Sequence, residues 1–265
     1  MRRYLALGRI CLAEAIQYRV ESAIYFLCDV LPPLMMLFLW LAAYEEQPII
    51  AGYSLSEMLV YTVGVMVLRT VTTSHIEWGM DYEIRQGILS TNLVKPLGVW
   101  SFWFTGELAW KIVRGMLIAP VLLGCLLWLG PTMREAAPSP DRLPLVLVSA
   151  LLGYQVCFLM KLCLGFVGFW TNDLSGPSTL YEVLAAVLGG VLIPLAFLPE
   201  QLRFVANLLP IQAVYNVPLG VMLGKDVGGS PWVGIGMQLG WIVALWLLAS
   251  VIWRAGLRRY EAVGG

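Results

Sequence analysis

Residues 183–224 read VLAAVLGGVLIPLAFLPEQLRFVANLLPIQAVYNVPLGVMLG, and this stretch decides the fold class. Its 42 residues carry only two charges, Glu200 and Arg203, which places it in a bilayer. Yet Gly189, Gly190, Pro194, Pro199, Pro210, Pro218 and Gly220 interrupt it repeatedly. A bilayer tolerates broken backbone only where protein or a water-filled cavity satisfies the freed amide groups, so such segments lie beside transport pathways. A plain anchor has no need of one.

The whole chain agrees with that reading. Of its 265 residues 59% are hydrophobic and only 13% charged, with a mean hydropathy of +0.78. Soluble domains carry roughly 25% charged residues. The chain therefore reads as a single all-α, polytopic membrane domain over 1–265. A net charge of zero argues against nucleic acid as a partner, because phosphate binding needs clustered Lys and Arg. Membrane lipids and apolar solutes are the expected neighbours. Cys11, Cys28, Cys125, Cys157 and Cys163 lie in or beside apolar runs without CxxC spacing and read as small hydrophobes.

A crossing needs about 20 mostly apolar residues, and six segments qualify. They are 22–44, with Asp29 as its only charge; 58–76, with Arg69 and His75 near its end; 115–133, after Lys111 and Arg114; 143–172, where Lys161 is the sole membrane-depth charge; 180–198, with Glu182 near its start; and 227–253. The first run follows a charged segment and is long enough to span, so it reads as a crossing rather than a cleaved leader. With the N-terminus inside, eleven Lys and Arg fall on the inner side and only Arg134, Arg142, Arg203 and Lys225 on the outer. The imbalance favours both termini in the cytoplasm. A full crossing by residues 204–224 would move Arg254, Arg258 and Arg259 outside, so the broken stretch is expected to be re-entrant from the outer face.

Two inner segments have the pattern of docking elements. Residues 1–20 place Tyr4, Leu5, Leu12 and Ile16 among Arg2, Arg3, Arg9 and Arg19, as in a helix lying in the interface. In the second, Ile76, Met80, Ile84 and Ile88 recur every four residues while Glu77, Asp81 and Arg85 follow one position behind. That spacing predicts a helix with adjacent apolar and charged faces. Gly87 loosens it, and Lys95-Pro96 ends the segment.

No motif supports catalysis or nucleotide binding by this chain. There is no GxxxxGK[ST] loop, no GxGxxG after a strand, no HExxH, and His75 is the only histidine. Asp29 and Lys161, at membrane depth, need water, a partner or the interface, and a mutual pair is one solution. Lys161 snorkelling inward is another. Met36 and Trp40 of the first span, beside Met35 and Phe38, could line an apolar path or simply pack. Glu107, Lys111 and Arg114 fall on one helix face and read as a solvated ion-pair row.

Six spans with both ends inside, an amphipathic N-terminal helix, the inner segment EIRQGILSTNLVKP at 83–96 and the broken stretch from Tyr181 to Gly224 together resemble the permease subunits of type-2 ATP-binding-cassette exporters. The branch most similar is linked to export of viologens, drugs and other amphiphiles. The resemblance covers essentially the whole chain. It implies a bacterial plasma-membrane protein that binds no cofactor itself, with ATP and magnesium on two separate cytoplasmic ATPase subunits and a second permease, identical or related, completing the path. It also implies roles. Residues 1–20 become a connecting helix, 21–254 the six-helix bundle and 255–265 a short tail. Glu77, Met80, Asp81, Glu83, Ile84, Arg85, Gly87 and Leu89 become an ATPase-coupling helix, its charges facing the ATPase. Asp29, Met36, Trp40 and Lys161 become candidates for the path, and Gly189, Gly190, Pro194, Pro199, Pro210 and Pro218 an outer re-entrant gate. An ion-driven secondary carrier is the alternative, because broken helices mark those proteins too. A lipid-modifying membrane enzyme would need clustered polar groups at one depth.

Overall fold

The computed structural model describes residues 19–94, 99–171 and 173–260, together with Ala13 and Gln17. The interfacial helix expected over 1–20, Lys95-Pro96 and the end of the tail fall outside the described residues.

Ten α-helices account for most of the described chain: α1 Arg19–Ala43, α2 Leu55–Thr72, α3 Ile76–Arg85, α4 Ile88–Leu93, α5 Val99–Met133, α6 Leu143–Phe166, α7 Ser175–Leu188, α8 Glu200–Asn207, α9 Gln212–Leu223 and α10 Pro231–Arg259. Two-residue strands, β1 Ile49–Ile50 and β2 Tyr53–Ser54, form an antiparallel hairpin between α1 and α2. This hairpin is an addition to the expected all-α fold. It closes over Ala51 and Gly52, both at positive φ, where glycine is at ease.

α2 is the central helix. Ser54 accepts the Glu57 N–H while the Glu57 carboxylate accepts the Ser54 N–H, a reciprocal cap that starts it. It packs against α1, α5, α6 and α9. Its threonines Thr62, Thr70 and Thr72 donate within the helix, to the carbonyls of Met58, Met66 and Leu68. α1 turns Phe26, Val30, Leu37 and Trp40 inward at helical spacing and leaves Leu27, Leu31, Met35 and Phe38 exposed. An apolar exterior is what lipid contact requires.

Five helices are long and apolar enough to cross a bilayer: 26–43, 55–85 taken through a break, 102–136, 143–169 and 231–259. The expected fifth span at 180–198 differs. Its helix starts earlier, at Ser175, and stops at Leu188, about 21 Å of rise against a hydrocarbon core of roughly 30 Å. Gly189 and Gly190 end it, Gly190 at φ 86°, and the Tyr61 hydroxyl donates to the Gly190 carbonyl. At the start of the same helix, hydrogen bonds from Ser175 hold the exposed Asp173 carboxyl below its ordinary range. α8 and α9 are shorter still and bend by 105° across a break that contains Pro210, so only as a pair do they reach the length of a sixth crossing. α5 begins sixteen residues before the expected 115, running 35 residues from Val99.

The two ends of the bundle differ. At one, Lys225 reaches the Gly52 carbonyl (2.8 Å) and Glu57 (3.0 Å), and Arg142 reaches Asp226 (3.0 Å) and the Val221 carbonyl (3.1 Å). These bonds tie the hairpin, the α5–α6 turn and the α9–α10 turn together; we call this the turn end. The opposite end carries α3 and α4. There Trp103, Phe166, Phe169 and Trp253 pack ring against ring, with Phe166 and Trp253 centroids 5.0 Å apart. Between the ends, Gln238 of α10 donates to the carbonyls of Ser149 (2.9 Å) and Ala213 (2.7 Å), joining α6, α9 and α10.

A candidate coupling helix and its buried ion array

α2 is capped by Thr73, whose N–H still bonds the Arg69 carbonyl, and α3 starts three residues after that cap. Ile76, Met80 and Ile84 are buried, as their spacing requires. Ile88 is turned outward, because Gly87 at φ 70° begins a new helix in a new direction. Leu89 of that helix is fully buried, and the Ser90 N–H reaches the Tyr260 hydroxyl at the end of α10.

The charged face of α3 departs from expectation. Glu77 and Asp81 are buried rather than presented to a partner. The Glu77 carboxylate lies 2.7 Å from Lys161 Nζ on α6, and the same ammonium is 2.7 Å from Glu182 on α7. Asp81 holds Arg85 one turn on, its Oδ1 accepting from Arg85 Nε at 2.9 Å. Glu83 accepts from Asn92 Nδ2 (2.8 Å) and Trp103 Nε1 (3.2 Å), fixing α3 to α4 and α5. What α3 exposes instead is aromatic: Tyr82 at 60% and Trp78 at 45%, flanked by the half-exposed Arg85.

Close backbone approach explains the inward turn. A Cβ on Gly165 would lie 3.1 Å from the Glu77 Cα, and one on Gly168 would lie 2.8 Å from Asp81 Oδ1. Glycine on the α6 side thus lets α3 lie flush, in the manner of small-residue packing in membranes. Glu77 and Asp81 then have nowhere to point but into the bundle.

A second ion group adjoins the first. Asp29 on α1 accepts from Arg69 of α2 at 2.7 Å and from Arg114 of α5 at 3.4 Å. Lys111 lies 4.0 Å from Glu107, donates to the Thr73 carbonyl at 2.8 Å and stands over the Tyr154 ring. Half-buried His75 interacts electrostatically with Lys111 and Arg114 of the second group and with Lys161 and Glu182 of the first, so the two groups are neighbours, and we call them together the array.

Three expectations are thereby corrected. Asp29 and Lys161 do not pair with each other; each is neutralised by closer partners. Lys161 does not snorkel, being 1% exposed beneath the Tyr181 ring. The row Glu107, Lys111, Arg114 is not solvated, because its side chains are 8–15% exposed. Of the path candidates, Trp40 is buried against Phe197 and Met36 is half-buried at the edge of the same core. The structure does not bring them to the array. Gly189, Gly190, Pro194, Pro199 and Pro210 all fall at helix breaks or caps, while Pro218 sits inside α9. Sequence reasoning missed Glu182, although an acid near the start of an apolar run with a lysine as the sole charge of the preceding one was the available signal.

Among the described residues, no group of His, Cys, Asp and Glu could hold a metal ion. A family profile described as ABC-2 family transporter protein matches residues 30–264. No curated protein and no solved structure matches the chain significantly.

Proposed function

This chain belongs to the ABC-2 transporter family, and from that premise we propose that it is the permease of an exporter in which α3 and α4 receive the stroke of a separate ATPase. ATP and magnesium would sit on that partner, two copies of which serve two permeases. The solute, in this reading, is hydrophobic or amphiphilic and passes between the permeases, and the α3 end faces the bacterial cytoplasm with both termini.

The observation that carries the reading is the docking of α3. Its outer face offers Trp78, Tyr82 and Arg85, and its inner face is locked to α6 and α7 through Glu77, Lys161 and Glu182. A push on the aromatic face would pass to α6 by contact and to α7 through the shared ammonium. α7 leads into the Gly189–Gly190 break and the bent α8–α9 pair, which would serve as the re-entrant gate. Closure of the ATPase can bias the membrane states only through contacts that differ between them, and in this reading the Glu77–Lys161–Glu182 bridge would be such a contact.

The test is recovery of partners from native membranes in mild detergent, with ATP turnover measured on the eluate. Tyr82→Ala combined with Trp78→Ala should lower ATPase recovery and stimulation while leaving membrane insertion intact. Recovery of the chain alone, with ion-driven flux in liposomes, would replace the reading with a secondary carrier.

A further inference from the structure

At the turn end, α2, α5, α6 and α9 enclose a cavity of 540 Å³. Val63 and Val67 of α2, Leu126 of α5 and Leu147 and Leu151 of α6 supply apolar walls, and none of the eight charged residues of the ion array lines it. Val67, Leu126, Leu147 and Leu151 are also exposed on the outside of the bundle, so the cavity opens sideways. Its volume falls in the range of roughly 300–1,000 Å³ that accepts organic ligands. An apolar cavity of this kind stays dry and takes hydrocarbon.

One charge sits on its wall. Arg134, in the turn that ends α5, lines the cavity beside Ala137 and Pro138 and is exposed. No ion pair among the described residues uses it. The adjacent Glu135 lines a different, polar recess with Ser54 and Glu57. An apolar slot that opens sideways, with a guanidinium at the level of the turns, is complementary to a chain of hydrocarbon carrying an anionic head. Arg suits that head because its planar fork binds phosphate oxygens in pairs.

We propose that this cavity is a binding site for a bilayer phospholipid, one acyl chain lying between α2, α5 and α6 and the anionic phosphate resting on Arg134. The site is distinct from the ion array, none of whose charged residues lines it. Gly130 offers a way to close it. It lines the cavity, and a Cβ built on it meets nothing within 4 Å, so a larger side chain would occupy the lipid's place rather than displace a wall.

The experiment uses the full chain purified in detergent, stripped of lipid and titrated with phosphatidylglycerol or phosphatidylcholine, with bound lipid counted by native mass spectrometry and the unfolding midpoint followed alongside. The wild type should retain phosphatidylglycerol and unfold at a higher temperature with it, as a ligand of the folded state must. Gly130→Phe should lose the tightly held adduct with helix content unchanged. Arg134→Gln should still hold a lipid, but its preference for the anionic head should fall about ten-fold, the worth of one charge-assisted hydrogen bond. Equal lipid occupancy in Gly130→Phe and wild type would overturn the site. An undiminished anionic preference in Arg134→Gln would overturn the role of the guanidinium, and this exposed substitution decides the matter even if Gly130→Phe fails to fold. Disulfide capture of a second copy through Leu147→Cys would show that a protomer, not a lipid, covers the cavity.

Discussion

Lys161 and Glu77 meet at 2.7 Å across the interface of α6 and α3, each with a side chain 1% exposed. The pair joins the last third of a spanning helix to a short helix that follows a break in another. Its second acid, Glu182, is 45% exposed, so Lys161 faces one buried partner and one exposed one. A shift of α3 would therefore leave the ammonium with Glu182 as its remaining anchor.

Removing the cation should strand Glu77. Lys161→Met is expected to lower unfolding stability by roughly 3–5 kcal/mol, the cost of breaking a buried pair from one side. Glu77→Gln added to Lys161→Met should return part of the loss. Thermal unfolding of the single and double variants in one detergent checks this, and strict additivity would deny the coupling.

Asp29 holds two arginines, and they face one another without it. Asp29→Asn should destabilise the chain by a similar few kcal/mol, while adding Arg114→Met should recover much of that by removing one of the two like charges. If Asp29 were instead a solute contact, Asp29→Asn would leave unfolding unchanged and alter transport alone.

Gly165 sets how closely α3 lies on α6. A Leu there meets Glu77 Cα and the Met80 side chain, and overpacking of this kind costs about 1–3 kcal/mol. The expected phenotype is weakened stimulation of the partner ATPase with normal membrane insertion. Gly124, where a Cβ meets nothing within 4 Å, is the control, and Gly124→Leu should leave coupling unaltered.

The bent pair α8–α9 makes a topological prediction. If it is re-entrant, single cysteines replacing Glu200 and Lys225 should both react with an impermeant thiol reagent added from outside. Protection of position 225 alone would mean that the pair crosses the membrane.

Much of this was legible in the residues. The apolar runs located the long helices, and the four-residue recurrence of Ile76, Met80 and Ile84 located α3 and its buried stripe. Gly189 and Gly190 announced a break that the backbone makes. The facing of Glu77 and Asp81 was not legible, because a charged row beside an apolar row can turn either way, and what turns it inward is glycine on α6 more than eighty residues on. The pairing of Asp29 with Arg69 and Arg114 depended on helix neighbours that spacing along one chain does not report. Helix ends were least legible where the helix outruns the apolar stretch, as at the start of α5, sixteen residues before the expected span.

The array also bears on how a membrane potential would act on this molecule. Asp29, Glu77, Glu107 and Glu182 stand against Arg69, Lys111, Arg114 and Lys161. A transmembrane potential does about 2.3 kcal/mol of work per elementary charge per 100 mV, and on a set that moves together with equal numbers of each sign that work cancels. A rearrangement that carries the whole set together would thus be neither driven nor opposed by the membrane field. Any voltage dependence in transport would then be a property of the cargo, and changing one array residue to a neutral one would confer it on the protein.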